Sequence, residues 1–266
     1  MTLDPVTNDN LRAQFNPPGS TLREAQMRML EILLTVDAIC RRHDIPYWLS
    51  SGTLIGAARH GGFVPWDDDV DIEKLLPDYL HFCDIAAKEL PPHLKLQNSH
   101  TDPMFMLGFA KVRDTRQKIV SRDSRLDCNY SIHGFFIDIF PVVPSSSYLL
   151  HRISGKLAYW GMIAVNNRHG HTGGKFIRSV YDGFSWILQL INDAFQPVGA
   201  GSCLRHRFPS TFPKPRFYGD IFPLSEIEFE GHLLRAPGNI DRYLRRIYGD
   251  WTQLPDLNRL KAHTAL

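Results

Sequence analysis

From residue 21 onward, Leu22, Ala25, Met29, Ile32, Leu33, Val36, Ile39 and Cys40 recur at helical spacing, which predicts an amphipathic helix over 21–43. Thr21 and Glu24 have the spacing of a capping box at its start. Ile45 to Leu49 is rich in strand formers, with Pro46 near its beginning, and predicts a short strand. Ser51-Gly52 then turns the chain into a short helix ending near His60-Gly61-Gly62. Val70 and Ile72 alternate with Asp69 and Asp71, the period-two pattern of a second strand. A helix is predicted over 77–90, stopped by Pro91-Pro92, and strands over 94–97, 104–113 and 134–140. Residues 145 to about 195 read as two helices joined by a His/Gly-rich link, and 196–216 as a loop carrying Pro209, Pro213 and Pro215. Short strands near 227–229 and 233–235 precede a last helix, 240–248, for which Gly249 is the stop.

This order, strands and helices mixed without repeats, predicts an α+β domain: a mixed sheet flanked by helices, with a mainly helical insertion at about 145–215 and a C-terminal helix. Residues 1–20 read as a loose leader and 21–266 as one domain. An apolar fraction of 43% is ample for a core, and a net charge of +2 gives no case for nucleic acid. Cys40, Cys83, Cys128 and Cys203 are scattered and form no zinc pattern, so buried, reduced thiols are expected. The polar N-terminus has no secretory signal pattern, and the longest apolar run, 157–165, is too short to span a bilayer. A cytoplasmic protein, at most touching the inner membrane face, is expected.

The chemistry is concentrated at Asp67, Asp68, Asp69 and Asp71. Two carboxylates about 4 Å apart repel by roughly 4 kcal/mol at an effective dielectric near 20. A bound Mg²⁺ or Mn²⁺ turns that repulsion into coordination, most naturally for work on phosphates. Asp69 and Asp71, two apart in a strand, point to one face. Asp138 sits between Ile137 and Ile139 in an apolar strand and needs a partner. Neighbouring strands would bring the three acids together. Asp67 and Asp68 are equally well read as turn or cap residues.

The run from Tyr47 through Ser51-Gly52-Thr53 and Arg59-His60-Gly61-Gly62 to Pro65-Trp66-Asp67-Asp68-Asp69-Val70-Asp71-Ile72 resembles the LicD family. Lys111-Val112-Arg113-Asp114, Gly134 to Pro141, and Tyr243 to Pro255 match in the same order, so the resemblance spans about 22–255. It implies a nucleotidyltransferase-like fold with Asp69, Asp71 and Asp138 as catalytic metal ligands for Mg²⁺ or Mn²⁺. It implies transfer of a substituted phosphate, such as phosphocholine, from a CDP-linked alcohol donor to a hydroxyl of a glycan or glycolipid. Ser51 stands where Gly is commoner and still suits a phosphate-facing turn, with Gly52 and Thr53 beside it. Arg59, Lys111 and Arg113 are then candidates for phosphate contacts.

Other readings compete. A nucleotidyltransferase would use the same acids to move NMP, and a non-catalytic nucleotide-binding scaffold would keep the fold alone. His169 and His171 are read as part of a helix connection rather than a metal loop, and Trp66 as an anchor rather than a base-stacking platform. Tyr159, Trp160, Phe176, Tyr181, Phe184 and Trp186 are expected in the core, with a membrane surface as the alternative.

Overall fold

The predicted amphipathic helix is present as α2 (Thr21–Arg42), and its apolar stripe, from Met29 to Cys40, is buried against the sheet. In the computed structural model, residues 3–117, 130–145, 147–166, 172–194, 203–210 and 212–257 are described. The N-cap of α2 is Ser20, whose hydroxyl accepts from the Arg23 amide; Thr21 is the first helical residue and Arg23 stands at N3, so the expected Thr21–Glu24 capping box is replaced by a simple serine cap. The stretch read as a loose leader forms α1 (Pro5–Phe15), capped by Asp4. It is docked: Asn8 and Arg12 donate to the His60 carbonyl, and Phe15 meets Trp66 edge-on.

The main sheet runs in the order β1 (Trp48–Leu49), β2 (Asp71–Leu75), β5 (Phe135–Pro144), β4 (Ala110–Asp114), β3 (Leu94–Gln97). β2 and β5 are parallel, whereas the β1–β2, β5–β4 and β4–β3 pairs are antiparallel. The second half of β5 pairs instead with β6 (Cys203–His206), which carries β7 (Arg216–Phe217). β6 and β7 lie in the segment read as a loop; prolines crowd around them and hide two short strands. The strand expected from residue 104 begins only at Ala110, and that expected from Ile45 is confined to Trp48–Leu49.

Helix α3 (Ser51–His60) follows β1, and α4 (Leu76–Glu89) follows β2. The insertion supplies the hairpin α5 (Tyr148–Asn166) and α6 (Thr172–Ala194), with the His169–His171 link outside the described residues. The short α7 (Tyr218–Ile221), the hairpin β8 (Ser225–Phe229) and β9 (His232–Ala236), and α8 (Ile240–Tyr248) complete the chain, with Gly249 capping α8 at positive φ. A mixed sheet with helices around it is the α+β architecture expected. Cys40, Cys83 and Cys203 are unpaired, and Cys128 is outside the described residues. Among the described residues no helix is long and apolar enough to cross a membrane.

Candidate active site

Sheet register builds the acid cluster. Asp71 lies directly beside Asp138 across the parallel β2–β5 pair, and Asp138 lies beside Lys111 across the antiparallel β5–β4 pair. One row across three strands therefore reads carboxylate, carboxylate, ammonium. Lys111 Nζ is 2.5 Å from Asp138 Oδ1 and sits 3.4 Å over the Phe136 ring. Lys111 is thus held against an acid of the cluster. Asp69 precedes β2 rather than lying in it, yet its charge is felt at Asp71 together with that of Asp138.

The loop that carries the acids is laid tightly over α3. A Cβ on Gly56 would fall 2.4 Å from the Gly62 carbonyl, and one on Gly52 would fall 2.3 Å from Asp67 Oδ2. The two glycines, one turn apart, let the 62–67 segment cross the helix closely, with backbone contact at Gly56 and the Asp67 carboxylate over Gly52. That crossing delivers Asp67 into the cluster, where it and Asp69 are within hydrogen-bond reach. Burial, then the charge of Asp69, raises the pKa of both Asp67 and Asp71 well above the usual carboxylate value. Asp67 is therefore more than a turn residue. Among the described residues, no three His, Cys, Asp or Glu side chains already stand at metal-ligand spacing. The donor set is nevertheless all carboxylate, and its charges repel one another; such a set could hold a hard divalent cation.

Ser51 begins α3 at φ 49°, in the left-handed region that favours glycine. Its hydroxyl reaches both Asp71 and the phenol of Tyr248, contacts that give a serine a role at a position sterically suited to Gly. At the cap position, Ser50 turns its hydroxyl inward to Glu73, so no side chain caps the N-terminus of α3. A cavity of about 490 Å³ adjoins the site; Gly52, Trp66, Asp67, Tyr248 and Asp250 contribute to its wall.

Two residues beyond Asp71, on the same face of β2, Glu73 is wholly buried. It accepts from Trp48 Nε1 at 3.0 Å, Ser50 Oγ at 2.9 Å, Tyr243 OH at 2.8 Å and Arg216, and it meets His206 Nε2 at 2.8 Å. Arg216 is the main partner that keeps the Glu73 carboxyl ionised and far below its ordinary pKa despite burial. The network ties β2 to β6, β7 and α8 beneath the acids. The continued alternation Asp69, Asp71, Glu73 was the only sequence sign of it.

Other expected contacts are engaged elsewhere. Thr53 is buried and accepts from the Asp71 amide at 2.8 Å, so it holds the strand. Arg59 is buried and donates to the carbonyls of Trp251 and Gln253, both at 3.0 Å, fastening the C-terminal loop. Arg113 donates to Gln97 Oε1 at 2.5 Å and to the Gly134 carbonyl at 3.1 Å. Trp66 lies against Phe15 and His60, as an anchor would.

Comparison with known proteins places this geometry. Residues 44–156 match the family model described as LicD/FKTN/FKRP, nucleotidyltransferase domain. The lipopolysaccharide cholinephosphotransferase LicD of Haemophilus influenzae is 38% identical over 258 residues, covering 91% of this chain and 96% of the relative. The chain belongs to the LicD family. More distant LicD-family similarity extends to the human ribitol 5-phosphate transferase FKRP, 56% identical over 34 residues, 13% of this chain and 7% of the relative. The mouse ribitol-5-phosphate transferase FKTN is 29% identical over 92 residues, 35% of this chain and 20% of the relative.

Proposed function

We propose that this LicD-family enzyme transfers a substituted phosphate, phosphocholine or a close analogue, from a CDP-linked alcohol to a hydroxyl of a glycoconjugate. The observation that carries the reading is the placement of Asp71 beside Asp138, with Asp67 and Asp69 around them and Lys111 at the end of the row. Similarity to a lipopolysaccharide cholinephosphotransferase over nearly the whole chain supports the substrate class.

Asp69, Asp71 and Asp138 would hold Mg²⁺ or Mn²⁺, with Asp67 at their side. Such an ion supplies charge neutralisation for a pyrophosphate and its departing phosphate. The uncapped N-terminus of α3 and the Ser51 hydroxyl suit the donor's phosphate oxygens. The acceptor hydroxyl oxygen attacks the phosphorus that bears the alcohol. The bond from that phosphorus to the bridging oxygen breaks, and CMP leaves with the bridging oxygen. The acceptor's proton passes to a carboxylate of the cluster.

The test uses the full chain with CDP-choline, CDP-ribitol and CDP-glycerol, each with Mg²⁺ or EDTA. A ligand at 100 times its Kd adds about 2.7 kcal/mol of stability. A metal-dependent thermal shift with one CDP-alcohol, followed by CMP release and a lipopolysaccharide acceptor heavier by the substituted phosphate, is expected. An acceptor that gains NMP would overturn the reading in favour of a nucleotidyltransferase. Absence of any cytidine-dependent shift would overturn the reading and direct the test to other nucleotides and to the scaffold.

A further inference from the structure

The α5–α6 hairpin meets the domain through a mixed polar and apolar inner side and leaves an apolar outer side exposed. Its inner side meets the domain through the His151–His206 carbonyl contact at 2.9 Å, the Ser145–Asn192 bond at 2.6 Å, and Tyr181, which donates to the Met106 carbonyl at 2.8 Å. Ala158 and Met162 pack there on Met106 and Tyr181. The opposite side is exposed. On α5, Leu149, Ile153, Leu157 and Trp160 form one stripe at helical spacing, and Trp160 is 67% exposed. On α6, Phe176, Val180, Phe184, Ile187 and Ile191 form another, with Phe176 71% exposed, and Trp186 stands beside it at 63%. Aromatics expected in the core are thus outside, Tyr181 excepted.

Charge says what covers this face. From Asp138 to Asp182 the chain carries no acidic residue, while Arg152, Lys156, Arg168, Lys175 and Arg178 all fall between them. Arg178 is paired with Asp182 at 3.0 Å. Arg152 and Lys156 are exposed and lie on the line between Tyr148 and Tyr159, directly beside the apolar stripe of α5. Two apolar stripes bearing tryptophans, the α5 stripe edged by Arg152 and Lys156 and the α6 stripe carrying the Arg178–Asp182 pair, match an anionic bilayer surface: acyl boundary for the stripes, headgroups for the α5 bases.

We infer that the outer face of the α5–α6 hairpin docks the protein on the surface of an anionic membrane. The helices lie in the interface without crossing it, which agrees with the absence of a spanning helix among the described residues. A protein that works on lipid-anchored glycans would gain residence where its acceptor is, but the docking rests on the hairpin alone.

Vesicle binding needs neither donor nor acceptor, so its outcome is separable from that of the transferase assay. The full chain is mixed with vesicles of phosphatidylcholine alone or with added phosphatidylglycerol, and followed by sedimentation and tryptophan fluorescence. Binding with a blue shift on the anionic vesicles is expected. Leu157→Glu with Trp160→Glu should abolish it. Arg152→Gln with Lys156→Gln should weaken it on the order of thirtyfold, since each basic residue near such a surface contributes about 1 kcal/mol. Equal binding of all three proteins would overturn the inference. So would a dimer in sedimentation velocity that these variants dissociate while the parent ignores vesicles, because the face would then belong to a second copy.

Discussion

Asp71 and Glu73 are two residues apart on one strand face, both buried, and they stand in opposite electrostatic states. Asp71 has carboxylate neighbours, and its ionisation is opposed; Glu73 has Arg216, and its ionisation is favoured. Neutral substitution therefore separates function from support. Asp71→Asn removes repulsion without changing shape, so the metal-free variant should melt no lower than the parent while turnover falls by about 10²-fold or more. Glu73→Gln leaves the buried Arg216 guanidinium without its counter-charge, and should lose about 3–5 kcal/mol in denaturant unfolding. Denaturant titrations of the two variants, alongside turnover, check both halves. A large stability loss in Asp71→Asn would assign that acid to the scaffold.

At the scale of elements, α3 is the part on which the site depends, because the acid-bearing loop crosses it at Gly52 and Gly56. The obstacles differ in kind. A methyl at residue 56 meets backbone, the Gly62 carbonyl and the Val64 amide, which cannot move without shifting the loop. A methyl at residue 52 meets only the end of the Asp67 side chain. Gly56→Ala should cost about 1–3 kcal/mol in thermal or denaturant unfolding. Gly52→Ala should cost less in stability, yet weaken the metal-dependent thermal shift by displacing Asp67. Elements with long periodic patterns, such as α2 and α8, were legible from sequence, and so was the alternation that put Asp71 and Asp138 on strands. Their meeting depended on register between β2 and β5, far apart in the chain. Side-chain destinations were less legible. Arg59 and Arg113 look like phosphate ligands in a motif, and each also donates within the fold, Arg59 to His60 and to the carbonyls of Trp251 and Gln253, Arg113 to Gln97 and the Gly134 carbonyl, contacts set by tertiary structure that no local pattern carries. β6 and β7 were hidden because short strands among prolines have too few residues to show a period.

Among the described residues His60, His151 and His206 are all buried, and burial lowers the pKa of each, so all three shape the response to acid. His60 takes a hydrogen bond from Arg59 on Nε2 and therefore donates from Nδ1 to Asn8, joining α1 to α3 as a neutral ring. Burial, then Arg59, lowers its pKa to about 3. His206 is stacked on Phe140 at 4.6 Å and lowered to about 4 by burial and then Arg216. Both groups bind a proton more readily unfolded, near 6.5, than folded. The unfolded state thus holds more protons as pH falls below that value, and stability is lost from about 6.5 down through the folded values. Glu73, lowered by its partners, adds a loss that begins nearer its ordinary 4.5. Asp67 and Asp71, raised in the fold, act in the opposite sense: their contribution is present at low pH and fades as pH rises through their folded values. In the metal-free protein the histidine share of stability is therefore lost between pH 6.5 and 4 against the opposite trend of Asp67 and Asp71, so the test is the difference in slope between parent and variant. In His60→Gln, whose amide stays neutral, that slope should flatten by about one proton in equilibrium titrations. An unchanged slope would mean that His60 is protonated in the fold, and that α1 is held to α3 by a charge rather than by a neutral ring.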